Sequence, residues 1–324
     1  MLESFVPLRG NGARVAELLS KAHALASHAA PNTLRSYMAD WEDFCEFAAS
    51  IGVSALPAAP ATVACYLAER AGSLRAATLG RRLSGIAFYH RRARLDSPTY
   101  HPQVRAVLQG IRREFGAAQT FKRALLTPEI RRIVACCPDT LAGIRDRALW
   151  LVSYAAMTRR SETAGLRFED IAPSDPEGIL VNIRKSKVDA ESRGRQVGIP
   201  YGAGEATCPI LALRRYLRAA KISWGPIFRA IDQKDRASRS GAGLHPESIA
   251  VIFKRTAARA GIANIGEVAG HSTRSDAISQ SIAFGVDPYV VRKQSGHKPD
   301  SRSFERYVRV GEMFTRNAAA SLGL

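Results

Sequence analysis

Four residues in the last third of the chain have the types and the spacing to hold and attack a phosphodiester. His271 and Arg274 stand three apart in His271-Ser272-Thr273-Arg274, His297 follows Gly296, and Tyr307 comes ten residues later. A His and an Arg one helical turn apart present an imidazole and a guanidinium fork to the same anion. Placed just after Gly270, they would share a helix N-terminus whose backbone N–H groups favour that anion too. The second imidazole adds a donor, and the phenol supplies a nucleophile. Nothing in this set needs a metal. Taken singly, each has a plainer reading: a His on a helix face is often structural, and a Tyr in a terminal helix is usually a packing residue.

Two earlier boxes extend the set. Met157-Thr158-Arg159-Arg160-Ser161-Glu162 closes a long apolar segment. Arg159 at the junction of two helices can project its fork into a cleft, and Glu162, three residues on, can orient it. Arg184-Lys185-Ser186-Lys187 lies between two strand-like runs, where a flexible ammonium could swing into a neighbouring site and protonate a leaving alkoxide. A surface ion pair and a solvated turn are the plainer readings of these two boxes.

Composition points to a polyanionic partner. Among 324 residues there are 47 Lys and Arg against 29 Asp and Glu, a formal net charge of +18. That is far beyond what solubility requires, and much of the excess is Arg in pairs suited to bidentate phosphate contacts. Nucleic acid is the favoured partner. Five cysteines, odd in number and without CxxC spacing, argue for a reduced, cytoplasmic compartment and against a zinc site. No run of 18 apolar residues and no charged leader before an apolar stretch occurs, so no membrane partner is expected.

The elements that must position these residues fall into two parts. Residues 1–30 read as a flexible N-terminal segment. From Pro31, the residues Leu34, Tyr37, Met38, Trp41, Phe44, Cys45 and Ala48 recur at helical spacing up to a stop at Gly52. Three more helices are predicted: Ala61–Arg70 closed by Gly72, Ala76–Arg92, and Pro102–Phe115. Together they make a helical domain over 31–115. Its polar faces carry Arg75, Arg81, Arg82, Arg91, Arg92, Arg112 and Arg113, by default a solvated surface and here a candidate DNA-binding one. Residues 116–125 read as a linker. In the second domain, 126–324, Thr127-Pro128-Glu129 signals a helix start with Thr127 as N-cap. A longer apolar helix spans Leu141–Ala156. Residues 178–183 and 195–200 read as two antiparallel strands, and most of the rest is helical. After Tyr307, the stretch 308–324 has Met313, Phe314, Ala318, Ala319, Ala320 and Leu322 at amphipathic spacing.

The order Arg, Lys, His-x-x-Arg, His, Tyr resembles that of the tyrosine recombinases, the phage integrase family. The resemblance runs from Pro31 to Tyr307. It includes Leu56-Pro57-Ala58 leading to Val63-Ala64-Cys65-Tyr66-Leu67, and the stretch from Arg82 to Arg92. It implies a mainly α fold: an N-terminal helical, SAM-like core-binding domain followed by an α-rich catalytic domain with a small antiparallel sheet. It places the catalytic Arg on Arg159, the accompanying acid on Glu162, the hairpin Lys on Lys187 with Lys185 as the fallback, the His-x-x-Arg box on His271 and Arg274, the His-or-Trp position on His297, and the nucleophile on Tyr307. Two departures stand out. Met157-Thr158 replaces the usual Gly before the Arg box, and His297 to Tyr307 is one residue longer than the commonest spacing, consistent with a bulge around Lys298-Pro299-Asp300.

The implied activity is site-specific cleavage and rejoining of double-stranded DNA through a 3′-phosphotyrosyl intermediate. No cofactor, ATP or metal takes part, and a homotetramer acts on DNA with its protomers linked by exchange of the C-terminal helix. A type IB topoisomerase shares this chemistry, but the recombinase-like N-terminal helices argue against it. An inactive DNA-binding relative would lack a catalytic residue, and none is missing.

Overall fold

The computed structural model describes residues 31–116, 125–184, 194–238, 241–263, 272–313, 317 and 319. The chain divides into two compact units, Met1–Thr120 and Phe121–Leu324.

In the first unit, α1 (Pro31–Ser50), α2 (Pro60–Arg70), α3 (Ala76–Arg92) and α4 (Pro102–Glu114) are the helices of the described residues, with a 3-10 turn at Pro98–Tyr100. Proline at the first turn starts α2 and α4, where a missing N–H removes no helical bond. Gly52 and Gly72, at φ +69° and +79°, turn the chain out of α1 and α2. The apolar stripes meet in a core of Phe44, Val63, Tyr66, Leu67, Leu79, Ile86 and Val104. The buried His90 staples the loop before α2 to α3: its Nε2 accepts from Ala58 N–H at 3.0 Å, so its Nδ1–H donates to Ile86 O at 2.9 Å.

In the second unit, α5 (Thr127–Ala135) and α6 (Leu141–Ala155) lead to the short α7 (Arg160–Ala164). The position before α5 is Leu126, and Glu129 accepts its N–H at 2.9 Å; the cap is therefore one residue earlier than Thr127. The sheet has three strands in the order β1 (Ile171–Ser174), β2 (Gly178–Ile183), β3 (Arg195–Pro200), all antiparallel, with Val181 opposite both Ile171 and Val197. Strand β1 is an addition to the two strands expected. It contains Pro173 and lies at the sheet edge, where proline's missing N–H is tolerated. Along β2, Ile179, Val181 and Ile183 face the core while Leu180 and Asn182 face out.

Helices α8 (Pro209–Ala219), α9 (Pro246–Arg259), α10 (Ser272–Ala283), α11 (Pro288–Ser295) and α12 (Arg302–Glu312) complete the unit. Helix α6 is buried along most of its length, and its buried charges Arg145 and Asp146 pair with each other at 2.7 Å. Its Trp150, fully buried, donates Nε1–H to Thr256 Oγ1 of α9 at 2.7 Å. The fold is mainly α with a small antiparallel sheet. Among the described residues no helix is long and apolar enough to cross a membrane. Residues 117–124 of the expected linker 116–125 and all of residues 1–30 lie outside the described residues, as does most of the expected amphipathic stretch beyond Met313.

Candidate active site

Arg159 occupies the position before the first turn of α7, and the local sequence locks it there. Glu162 Oε2 accepts the Arg159 backbone N–H at 3.0 Å, and Oε1 accepts from Arg159 Nη1 at 2.5 Å. The same side chain thus caps the helix and aims the guanidinium. Below it, Thr163 Oγ1 donates to Arg159 O at 3.2 Å and lies 2.7 Å from Thr158 Oγ1. These hydroxyls are buried, so the turn is pinned from inside.

Arg274, in the first turn of α10, is 3 % exposed. Its Nη1 donates to Met157 O at 2.8 Å and lies 3.8 Å from Glu162 Oε2; its Nη2 is 3.2 Å from each ring nitrogen of His297. Met157 has φ +50°, the left-handed region in which the family's usual glycine would sit without strain, and this turn brings its carbonyl to Arg274.

His297 follows the C-cap of α11. Gly296, at φ +66°, closes the helix with N–H bonds to Arg292 O and Lys293 O and redirects the chain. Ser295 Oγ donates to Arg292 O at 3.2 Å, so it accepts His297 Nδ1–H at 2.8 Å and leaves Nε2 to accept from Arg274. In this arrangement the ring accepts from Arg274, whereas the sequence reading expects a donor to phosphate. On its other side it packs against Phe304 at 5.3 Å and Tyr307 at 5.9 Å between ring centroids. Both aromatics belong to α12. The additional residue between His297 and Tyr307 is absorbed in a turn in which Ser301 N–H returns to Lys298 O at 3.2 Å, after which Ser301 caps α12.

One residue in this cluster was not singled out by the sequence. Arg195, first in β3, donates Nη2 to Glu162 Oε2 at 3.2 Å. Its signal was weak: an Arg opening a strand after a charged turn, with nothing local to distinguish it from a solvated one.

Three guanidiniums therefore surround one carboxylate. Burial alone would raise the Glu162 pKa, but Arg195, the Arg159 N–H and the Arg159 guanidinium outweigh it and hold the carboxyl below its usual range. Burial, with Arg274, Arg159 and Arg195 alongside, pushes His297 down to about 3, so the ring is neutral at neutral pH. Burial and the two neighbouring arginines also lower Arg274. Among the described residues the site carries an excess of positive charge on largely buried side chains, which suits an entering anion.

Arg159, Glu162, Arg274, His297 and Tyr307 are thus brought together. Lys187, the fallback Lys185, and His271 lie outside the described residues. Among the described residues no group of three or more His, Cys, Asp and Glu side chains is arranged to hold a metal ion.

On the first unit, Arg75, Arg81, Arg91, Arg92, Arg112 and Arg113 are exposed. Two arginines of the candidate set are engaged by the unit's own acids. Arg81 pairs with the buried Asp40, and Arg82, only 16 % exposed, pairs with Asp43 and bonds the Tyr66 hydroxyl. Tyr66, its phenol pushed up to about 12 by burial and the Asp43 carboxylate, stays protonated and donates to Asp43.

Residues 123–312 match the model of the phage integrase family. The chain is 32 % identical over 306 residues to the integrase/recombinase xerD homolog of Selenomonas ruminantium, covering 93 % of this chain and 88 % of that protein. It is 28 % identical over 153 residues to recombinase cre of Escherichia phage P1, covering 45 % of this chain and 44 % of that one. A lambda integrase structure, a tetramer bound to a Holliday junction, shares the fold with a TM-score of 0.58 at 16 % identity, covering 96 % of this chain and 84 % of that one.

Proposed function

The chain belongs to the phage integrase family of tyrosine recombinases, and from that premise we propose that it cleaves DNA at specific sites by attack of the Tyr307 phenol oxygen and rejoins it without ATP or metal. The observation that carries this reading is one piece of geometry: Arg159 and Arg274 meet at Glu162, and His297 bridges Arg274 to Tyr307.

Attack forms a bond from the Tyr307 oxygen to phosphorus and breaks the bond from phosphorus to the 5′-oxygen. A 3′-phosphotyrosyl adduct and a 5′-hydroxyl result. Charge grows on the nonbridging oxygens along the way, and two preorganised guanidiniums stabilise it most where it is greatest. Arg159 and Arg274 take that role, with Glu162 fixing the first and His297 the second. A phenol with an unperturbed pKa of about 10 does not ionise unaided at neutral pH, so a base must take its proton. His271 is assigned that part, and Lys187 gives a proton to the leaving oxygen. The adduct keeps the energy of the phosphodiester, so a 5′-hydroxyl from another strand can attack it and reverse the step.

Four copies then act on two duplexes, a reading supported by the lambda integrase tetramer bound to a Holliday junction, and residues 313–324 of each are donated to a neighbour to close a ring. Exposed Arg75, Arg81, Arg91, Arg92, Arg112 and Arg113 grip the backbone of the DNA. Incubation with a nicked suicide substrate tests the chemistry. Wild-type protein should give a denaturation-resistant protein–DNA band, and Tyr307→Phe should bind DNA as well but give none. A persistent band in the variant would move the nucleophile elsewhere.

A further inference from the structure

Arg195 is not needed to orient the acid it touches. Glu162 is already fixed by its bonds to the Arg159 backbone and side chain, at 3.0 and 2.5 Å. Arg195 adds one bond through Nη2 at 3.2 Å, while its Nε and Nη1, both buried, have no hydrogen-bond partner among the described residues. Buried N–H donors are seldom left without an acceptor, and a guanidinium carries five of them.

The fold also makes room for this side chain at a second place. A Cβ on Gly296 would lie 2.7 Å from Arg195 Cδ and Nε, so only glycine lets the side chain lie against the turn that precedes His297. The result is a guanidinium held between the Glu162 carboxylate and the His297 segment, 16 % exposed, with unmatched donors. Charge is unmatched as well. Among the described residues, Glu162 is the one carboxylate that contacts all of Arg159, Arg195 and Arg274, and His297 is neutral beside them. One entering anion with several acceptor oxygens would satisfy both the donors and the charge.

We propose that Arg195 is a third phosphate-binding arginine of the site, donating to a nonbridging oxygen of the scissile phosphate and neutralising the charge that builds there. This rests on the reading of Tyr307 as the nucleophile. No additional reactant enters: the bond from Tyr307 to phosphorus forms, the bond to the 5′-oxygen breaks, and Arg195 keeps its protons throughout.

Two nicked suicide substrates decide it. One carries the ordinary scissile phosphodiester, and the other a methylphosphonate, in which a neutral methyl replaces one nonbridging oxygen; each diastereomer is used separately. Single-turnover cleavage is followed for wild type, Arg195→Ala, Arg195→Gln and Arg195→Lys, with thermal melting to establish that each folds. On the phosphodiester, Arg195→Ala should be slower by about a hundredfold, the scale of losing one preorganised donor, and Arg195→Lys should recover part of that because it keeps charge without the fork. On the methylphosphonate, the deficit of Arg195→Ala should shrink to about threefold or less, since the charge it neutralised is gone. If Arg195→Ala fails to fold, Arg195→Gln and Arg195→Lys give the same comparison. Equal deficits on both substrates, or none on the phosphodiester, would overturn the role of Arg195 while leaving the Tyr307 adduct of wild type intact. Absence of that adduct in wild type would remove the nucleophile reading and this inference with it.

Discussion

Gly311 lies one helical turn beyond Tyr307 on α12, and replacing it with alanine sets two effects of opposite sign against each other. By helix propensity alone, Gly311→Ala should stabilise α12 by about 1 kcal/mol. Packing says the reverse. A Cβ at Gly311 would lie 2.8 Å from Ile282 Cβ, Ile282 Cγ2 and Ser279 O of α10. None of these is the tip of a flexible chain: one is a backbone oxygen, and the others belong to a β-branched side chain that is 4 % exposed. Relief requires α12 to move from α10 by about 0.6 Å or more, and overpacking of this kind costs about 1–3 kcal/mol. Packing therefore wins or cancels the propensity gain. The larger effect is on geometry, because α12 carries Tyr307 and α10 carries Arg274, so the phenol and the guanidinium move apart together. Misplacement of a reacting group by about 1 Å can cost about a hundredfold in rate. We expect Gly311→Ala to slow single-turnover cleavage of a suicide substrate by roughly tenfold to a hundredfold, with DNA affinity unchanged, because the backbone contacts lie elsewhere. A rate within about twofold of wild type, together with a raised melting temperature, would show that propensity governs this position and that the α10–α12 spacing does not set the chemistry.

The folded His297 ring, held at about 3 against an ordinary 6.5, refuses a proton that the unfolded chain takes up between those values. The unfolded state then binds more protons, so stability falls as pH drops through this window, by up to about 1 kcal/mol per unit after solvent screening. Denaturant melts between pH 5 and 6.5 should show that slope, and His297→Gln should flatten it; an unchanged slope in the variant would place the proton elsewhere. Glu162, lowered from 4.5, adds loss in the same direction only at more acid pH. Deleting residues 313–324 should leave a protein that occupies a half-site but does not assemble two duplexes, and light scattering of an intact four-copy complex would exclude the exchange.

Local rules make much of the fold legible in the sequence. Pro60 and Pro102 start helices, Gly52 and Gly72 stop them, and the apolar spacings of α1 to α4 select the residues that are buried. The Arg159 and Glu162 pair was legible for the same reason, since three residues along one turn settle who touches whom. What the sequence could not show depends on partners distant along the chain. Arg195 joins the site only because β3 starts beside α7 and the turn at Gly296. Arg81 and Arg82 look like outward basic residues of α3 until α1 brings Asp40 and Asp43 alongside. Strand β1 has no alternation to betray it, and the edge of β2 orders it through pairing.

Met157 shows how a departure from the family pattern can be absorbed rather than tolerated. A left-handed backbone at a residue other than glycine costs about 1–2 kcal/mol. Glycine would avoid that strain and would lose a side chain that is 7 % exposed, whose burial contributes about 1.5–3 kcal/mol. The two terms nearly offset, and the packing does something glycine could not. Met157 shares a cluster with Ala277, Ile278 and Ile282 of α10, Val291 of α11 and Phe304 of α12, and Tyr307 packs at its edge. Its carbonyl meanwhile accepts from Arg274. One residue, two positions before Arg159, thus shares a core with the helices that carry Arg274 and Tyr307 and with the helix that leads into His297. The strain at Met157 is the local cost of coupling the Arg159 turn to Arg274, His297 and Tyr307, so that a shift in any one of these helices is felt by the rest.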